Sequence, residues 1–134
     1  MTFRELNLKK PLWSALDELG YQTPTTIQAV SFNPMMSGKD TIGIAQTGTG
    51  KTLAYLLPCL CMWKFSKEPH PQILIIVPTR ELVAQVVSEV EKLTAYMNVV
   101  VGGVYGGTNM NTQTAMVLQG LDILVGTPGR ILDL

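Results

Sequence analysis

The run Ala45-Gln46-Thr47-Gly48-Thr49-Gly50-Lys51-Thr52 constrains this chain more than any other stretch. It follows the apolar Thr41-Ile42-Gly43-Ile44 and opens into an apolar, helix-like segment from Leu53 onward. A strand, a Gly-rich turn and a helix in that order make a phosphate-binding loop. Gly48 and Gly50 let the backbone curl so that successive N–H groups face phosphate oxygens. Lys51 reaches the outer phosphates with its charge, and the Thr52 hydroxyl completes the coordination of Mg²⁺. The general pattern begins with Gly where this chain has Ala45, another small residue. A surface turn that happens to end in Lys-Thr is the plain alternative, and the flanking strand and helix weigh against it. The expected ligand is a nucleoside triphosphate.

The 134 residues suffice for about one domain with a real core. With 46% apolar and 15% charged residues, the chain has too little charge and too much apolar surface for disorder. Ten Lys and Arg balance ten Asp and Glu, so any nucleic-acid contact must come from a local arrangement. The start, Met1–Leu6, lacks the apolar core of a signal peptide. The longest apolar run, Leu53–Trp63, is too short to span a bilayer and contains Pro58. Cys59 and Cys61 stand two apart in an expected helix, facing nearly opposite sides, which suits core filling in a reducing compartment. These features predict a soluble cytoplasmic protein.

Helical and strand patterns alternate along the chain. Pro11 suits the first turn of a helix through Leu12, Leu16 and Leu19, closed by Gly20. A second helix starts after Pro24-Thr25, with Ile27, Val30 and Phe32 among its apolar positions. Four apolar runs read as strands: Thr41–Ala45, Ile73–Val77, Val99–Val104 and Asp122–Gly126. The second has no polar alternation, which predicts a strand covered on both faces of a parallel sheet. Helices are expected at 52–65, 80–96 and 110–119, the second of these burying Leu82, Val86, Val90 and Leu93. The polar, Pro-broken segment 66–72 is a surface loop, and its His70 is chemically idle. The repeated β-α order predicts an α/β fold, a doubly wound parallel sheet with ligands at the carboxyl ends of its strands.

On that scheme Ala45–Thr52, Pro78–Leu82, Tyr105–Thr108 and Thr127–Arg130 all follow strands and share one sheet edge. Two of them set an Arg beside Thr and Pro at a helix start, where free N–H groups and a guanidinium receive phosphates. Taken singly, each loop is equally well a capped helix start with a solvated Arg.

The combination resembles the amino-terminal RecA-like P-loop NTPase domain of a DEAD-box RNA helicase, of bacterial type. Ala45–Thr52 is similar to the family's motif I, Pro78–Leu82 to motif Ia, Gly106-Gly107 to the GG element and Thr127–Arg130 to motif Ib. Gly20–Gln28 resembles the Q motif, with Phe3 at the upstream aromatic position. The resemblance divides the chain into a Q-motif helical region, 1–36, and a P-loop core, 41–134.

The resemblance implies ATP and Mg²⁺ as cofactors and single-stranded RNA as partner. Gln28 would read adenine, since an amide offers the donor and the acceptor that N7 and N6 require, and Phe3 would stack on the ring. Phe3 serves equally well as an apolar anchor for the first helix. Tyr21 and the whole of Ala45–Thr52 complete the implied nucleotide site, with Lys51 and Thr52 in catalytic roles and Thr52 on the metal. Pro78, Thr79, Arg80, Gly106, Gly107, Thr127, Pro128, Gly129 and Arg130 would hold the RNA sugar-phosphate backbone without reading bases. Such binding is salt-dependent.

Before Thr127 the family usually carries Ala and this chain has Gly126, a change expected to loosen the strand end slightly. The family's DEAD motif and second RecA-like domain with its arginine fingers would lie past Leu134, so the 134 residues alone are expected to bind without turnover. Missing strands would also leave a sheet edge open to association. Two readings follow: an ATP-dependent RNA-remodelling enzyme of which this chain is a part, or a non-catalytic adenine-nucleotide and RNA-binding module. A DNA helicase of a related group fits less well, because of the Q-motif likeness.

Overall fold

The computed structural model describes residues 1–134 apart from Thr47, Thr49, Pro69 and Thr108. It forms two compact units, Met1–Trp63 and Lys64–Leu134.

The first unit is helical. A single 3₁₀ turn, Phe3–Glu5, precedes α1 (Lys10–Glu18), whose first turn holds Pro11 and whose apolar face buries Leu12, Ala15 and Leu16. Helix α2 (Thr26–Met36) begins at Thr25 in a capping box with Gln28. Its buried residues are Gln28, Ser31 and Phe32, whereas Val30 is 66% exposed and takes no part in the core. Helix α3 (Lys51–Met62) packs against α2 and buries Leu53, Ala54, Leu56, Leu57, Pro58, Leu60 and Cys61. Cys59 is half-buried and Cys61 buried, both as free thiols.

The expected strand at Thr41–Ala45 does not form. The segment is irregular, and Ile42 and Ile44 are each 90% exposed. A strand exists only through a neighbour that takes its N–H and C=O groups, and no described residue pairs with this one.

In the second unit β1 (Ile73–Ile76), β2 (Val101–Val104) and β3 (Ile123–Gly126) form a parallel sheet in the order β1-β3-β2. Ile73 and Val101 both stand level with Ile123. All four residues of the central β3 are buried. Strand β1 lies at an edge and is covered on one face only, with Leu74 53% and Ile76 54% exposed. Its unbroken apolar run reads like a doubly covered strand, but alternate side chains point to opposite faces and the face of Leu74 and Ile76 is open.

Helix α4 (Arg80–Leu93) lies on β2 and β3 and buries Val83, Val86, Val90 and Leu93. Leu82, expected on that face, is 36% exposed, so the stripe begins one residue later. Helix α5 (Met110–Leu118) packs on β2, and the short α6 (Pro128–Asp133) follows β3. Ile131 of α6 packs on a cluster of Val104, Leu121 and Leu124. Gly126 makes that possible, because a Cβ there would stand 2.7 Å from Val104 Cγ2 and 2.8 Å from Ile131 Cγ1. The strand end is tightly packed at this glycine, the reverse of the loosening expected from the sequence.

Candidate functional site

The phosphate loop takes its shape from two glycines. Gly48 (φ 83°) and Gly50 (φ 81°) both adopt the left-handed conformation that other residues avoid. Gly50 is the N-cap of α3, so Lys51 and Thr52 are the first two helical residues, with N–H groups that have no partner inside the helix. Lys51 is exposed, Thr52 and Ala45 are half-buried, and Gln46 is exposed; Thr47 and Thr49 lie outside the described residues. Thr52 is further tied to Tyr55. Burial pushes the Tyr55 phenol up, and a hydrogen bond from the Thr52 side chain offsets part of that. Lys51, Tyr55, Thr41 and Gly43 line one cavity of about 300 Å³ with Ile27 and Ser31.

Gln28 is fastened to this loop. Its side chain is only 5% exposed, and both ends of the amide are engaged by backbone. The Thr25 N–H donates to Gln28 Oε1 at 2.9 Å, and Gln28 Nε2 donates to the Gly50 carbonyl at 3.1 Å. The amide thus bridges the start of α2 and the start of α3. It keeps one N–H and one lone pair beyond these bonds, which is the pair an adenine edge would need. The bridge depends on Thr25, which the sequence reading placed at the helix start but not as a partner of Gln28, although Thr25-x-x-Gln28 has the spacing of a capping box.

Phe3 lies elsewhere in its chemistry. It is 4% exposed, and its N–H donates to the Gln22 carbonyl, so it anchors the amino-terminal turn and presents no open ring face. Tyr21 is the exposed aromatic of this region, at 41%.

The second unit gathers three loops at the carboxyl ends of its parallel strands. After β1, Thr79 caps α4 by accepting the Leu82 N–H at 3.2 Å, which sets Arg80 as the first helical residue. The Arg80 guanidinium lies against the loop after β2: a Cβ on Gly107 (φ 84°) would be 3.3 Å from Arg80 Nη1. Arg80 Nε also lies 3.7 Å from Glu81 Oε1 with both side chains exposed, a weak pairing. After β3, the Thr127 N–H donates to the Val104 carbonyl at 3.2 Å and starts α6 at Pro128. Arg130 Nη1 donates to Met110 Sδ at 3.3 Å. Pro78, Gly106, Pro128 and Gly129 are exposed along the same edge, and Thr108 lies outside the described residues. The structure therefore brings Arg80 and Gly107 together and places Arg130 at the end of the neighbouring strand. Met110 and Gln113, which organise these loops, carry no motif and escaped the sequence reading.

Comparison with known proteins agrees with these motifs. The family model described as DEAD/DEAH box helicase matches residues 25–134. This chain belongs to the DEAD/DEAH box helicase family. Among curated relatives, the ATP-dependent RNA helicase DeaD of Escherichia coli K12 is 43% identical over 136 residues, covering 98% of this chain and 21% of that protein. The ATP-dependent RNA helicase HAS1 of Candida glabrata is 38% identical over 135 residues, covering 98% of this chain and 27% of that protein. Bacterial and yeast helicases of the family thus match alike. The crystal structure of a hypothetical ATP-dependent RNA helicase from Sulfolobus tokodaii superposes with a TM-score of 0.82 at 36% identity, over 94% of this chain and 36% of that one. The fold is RecA-like α/β, with the parallel sheet described above. The chain thus spans between a fifth and about a quarter of the two curated relatives' length. Among the described residues, no helix is long and apolar enough to cross a membrane.

Proposed function

We propose that this chain is the ATP-binding and part of the RNA-binding portion of an ATP-dependent RNA helicase. The observation that carries the reading is the pair of left-handed glycines, Gly48 and Gly50, directly before Lys51 and Thr52 at the start of α3. Phosphates sit against the loop's N–H groups, and Lys51 neutralises the outer charges. Thr52 supplies one hard oxygen, which suits Mg²⁺, an ion that draws most of its ligands from phosphate and water. When bound, the metal neutralises the triphosphate's charge and polarises its phosphoryl oxygens. Gln28 selects adenine with the amide N–H and lone pair left over from its bonds to Gly50 and Thr25. Tyr21 offers the base an open aromatic face, whereas Phe3 serves as a buried anchor of the amino-terminal turn.

Arg80, Gly107 and Arg130, with Pro78, Thr79, Gly106, Thr127, Pro128 and Gly129 around them, hold the sugar-phosphate backbone of a single RNA strand. Contacts of that kind ignore base identity and weaken with salt. The protein that carries this chain acts in the cytoplasm, and its organisation is a Q-motif region (1–36), a P-loop core (41–134) and a second RecA-like domain that closes on ATP and RNA. A bacterial type is favoured by the higher identity to the Escherichia coli relative, 43% against 38% for the yeast one.

The test is RNA-stimulated ATP hydrolysis and separation of a short RNA duplex by that protein. Both are expected to be lost in Lys51→Ala. Duplex separation that needs no ATP, or that survives Lys51→Ala, would contradict the proposal.

A further inference from the structure

Strand β2 stands at the edge of the sheet opposite β1. The Val100 carbonyl accepts the N–H groups of Asp122 and Ile123, and the Val104 carbonyl accepts that of Thr127. These carbonyls therefore face β3, and each trans peptide sets the N–H that follows on the opposite side. The Val101 N–H points outward for that reason, and the parallel register repeats the pattern at Gly103. No strand pairs with β2 on that side among the described residues. Edges are commonly blunted by Lys, Pro or a bulge, and Val101-Gly102-Gly103-Val104 carries none of these.

Gly103 brings α4 close to this edge. A Cβ there would stand 2.7 Å from Val83 Cγ1 and 3.1 Å from Val87 Cγ2, so only glycine lets the helix approach so far. The flank of α4 and the strand then enclose a groove of about 320 Å³. Val83, Ala84, Val87 and Glu91 line it from the helix, Gly103 and Tyr105 from the strand. Glu91 is the charged residue of this lining, exposed and without an ion pair among the described residues. Arg80 stands about 16 Å further along the helix, against Gly107.

An extended peptide suits both walls. Its main chain bonds to the outward groups of β2, and its side chains on one face enter the groove about 7 Å apart. From Ala84 to Glu91 the helix rises about 10 Å, room for two of them. An apolar one rests on Val83, Ala84 and Val87, and a basic one reaches Glu91. Nucleic acid would bring phosphates to that carboxylate. A second copy pairing through its own Val101–Val104 would bring no cation, because that strand is uncharged.

We propose that the β2 edge and the groove beside α4 form a docking site for a partner protein's extended segment, one with an apolar residue two positions from a Lys or Arg. The site is independent of the nucleotide and RNA readings given above.

The probe is a fluorescein-labelled heptapeptide, KTVTVTK, whose sequence reads alike in both directions. Its anisotropy is followed with the complete chain at low salt, and the amide signals of Val101 and Gly103 by nuclear magnetic resonance. Both signals should shift on binding. The acidic analogue ETVTVTE should bind about 5-fold more weakly, and Glu91→Gln should remove most of that difference. Methylating the peptide nitrogens of the valines, or those of the threonines, should cost at least about 10-fold for one set and under about 3-fold for the other, since only alternate N–H groups face β2. Val101→Pro removes one outward N–H, leaves the Val100 carbonyl on β3, and should weaken binding about 5-fold. If that variant does not fold, the methylated peptides decide alone.

Equal affinity for the basic and acidic peptides, or equal effects of the two methylated sets, overturns the proposal. So does wild-type affinity in a folded Val101→Pro. Shifts of Val101 and Gly103 caused by an unstructured RNA and not by the peptide would assign the edge to nucleic acid. Dimerisation of the chain that Val101→Pro abolishes would assign it to a second copy.

Discussion

Replacing Gly50 with Ala tests whether Gln28 braces the phosphate loop. Two costs can be read from the structure. Gly50 has φ 81°, and a non-glycine residue in that region costs about 1–2 kcal/mol. The new Cβ would also clash with Gln28 Nε2 and stand 3.2 Å from its Cδ and 3.3 Å from Thr25 Cγ2. A side-chain tip normally swings aside cheaply, but this one is 5% exposed and bonded at both ends. Displacing it breaks the bond to the Gly50 carbonyl and leaves a buried amide short of a partner, about 1–3 kcal/mol more. Gly48 provides the control. It has φ 83° but nothing within 4 Å of the place its methyl would take, so Gly48→Ala carries only the backbone cost. In urea unfolding, Gly50→Ala should fall about 1 M below Gly48→Ala in midpoint, for a slope near 2 kcal/mol per molar. In a Gln28→Ala background the two variants should become nearly equal. Equal midpoints with Gln28 present would refute the bracing argument.

Gly126→Ala should destabilise the second unit by about 1–3 kcal/mol through overpacking against Val104 and Ile131, read from the urea midpoint; a neutral change would contradict the close packing. Arg80→Ala should weaken RNA binding uniformly across sequences and reduce the salt slope by about 1, whereas loss confined to particular sequences would indicate base reading instead. Burial pushes the thiols of Cys59 and Cys61 up, with Lys9 partly opposing this at Cys61. The folded chain therefore holds these protons longer than the unfolded one. Stability should be intact below the ordinary thiol range and decline as pH rises above about 8.5. A double Cys59→Ala, Cys61→Ala variant should flatten that alkaline decline in urea unfolding, and an unchanged slope would assign it to other groups.

What the sequence made legible were features that a few neighbouring residues decide. Pro11, the Thr25 and Thr79 caps and the apolar spacing of α1 and α4 set helix starts and faces locally, and they appear within a residue or two of expectation. The turn before α3 was equally clear, because glycine is needed for the left-handed conformation that Gly48 and Gly50 adopt just before Lys51. The misses concern what lies alongside. Thr41–Ala45 has a strand's composition, yet no strand forms without a neighbour. Ile73–Ile76 reads as a strand covered on both faces but leaves Leu74 and Ile76 open, and Leu82 cedes its buried place to Val83. Side-chain partners were harder still: that Gln28 would clasp Gly50, or Met110 Arg130, depends on elements 20 or more residues apart meeting in space.

The most direct test of the whole account is calorimetric titration of the chain with Mg-ADP and Mg-GDP, repeated with Gln28→Ala and Lys51→Ala. ADP should bind and GDP should not, because the amide's donor and acceptor match the N7 and N6 edge of adenine and not the guanine carbonyl. Lys51→Ala should abolish binding, and Gln28→Ala should lose the preference for adenine. Equal affinity for both nucleotides, or ADP binding that survives Lys51→Ala in a folded chain, would contradict it.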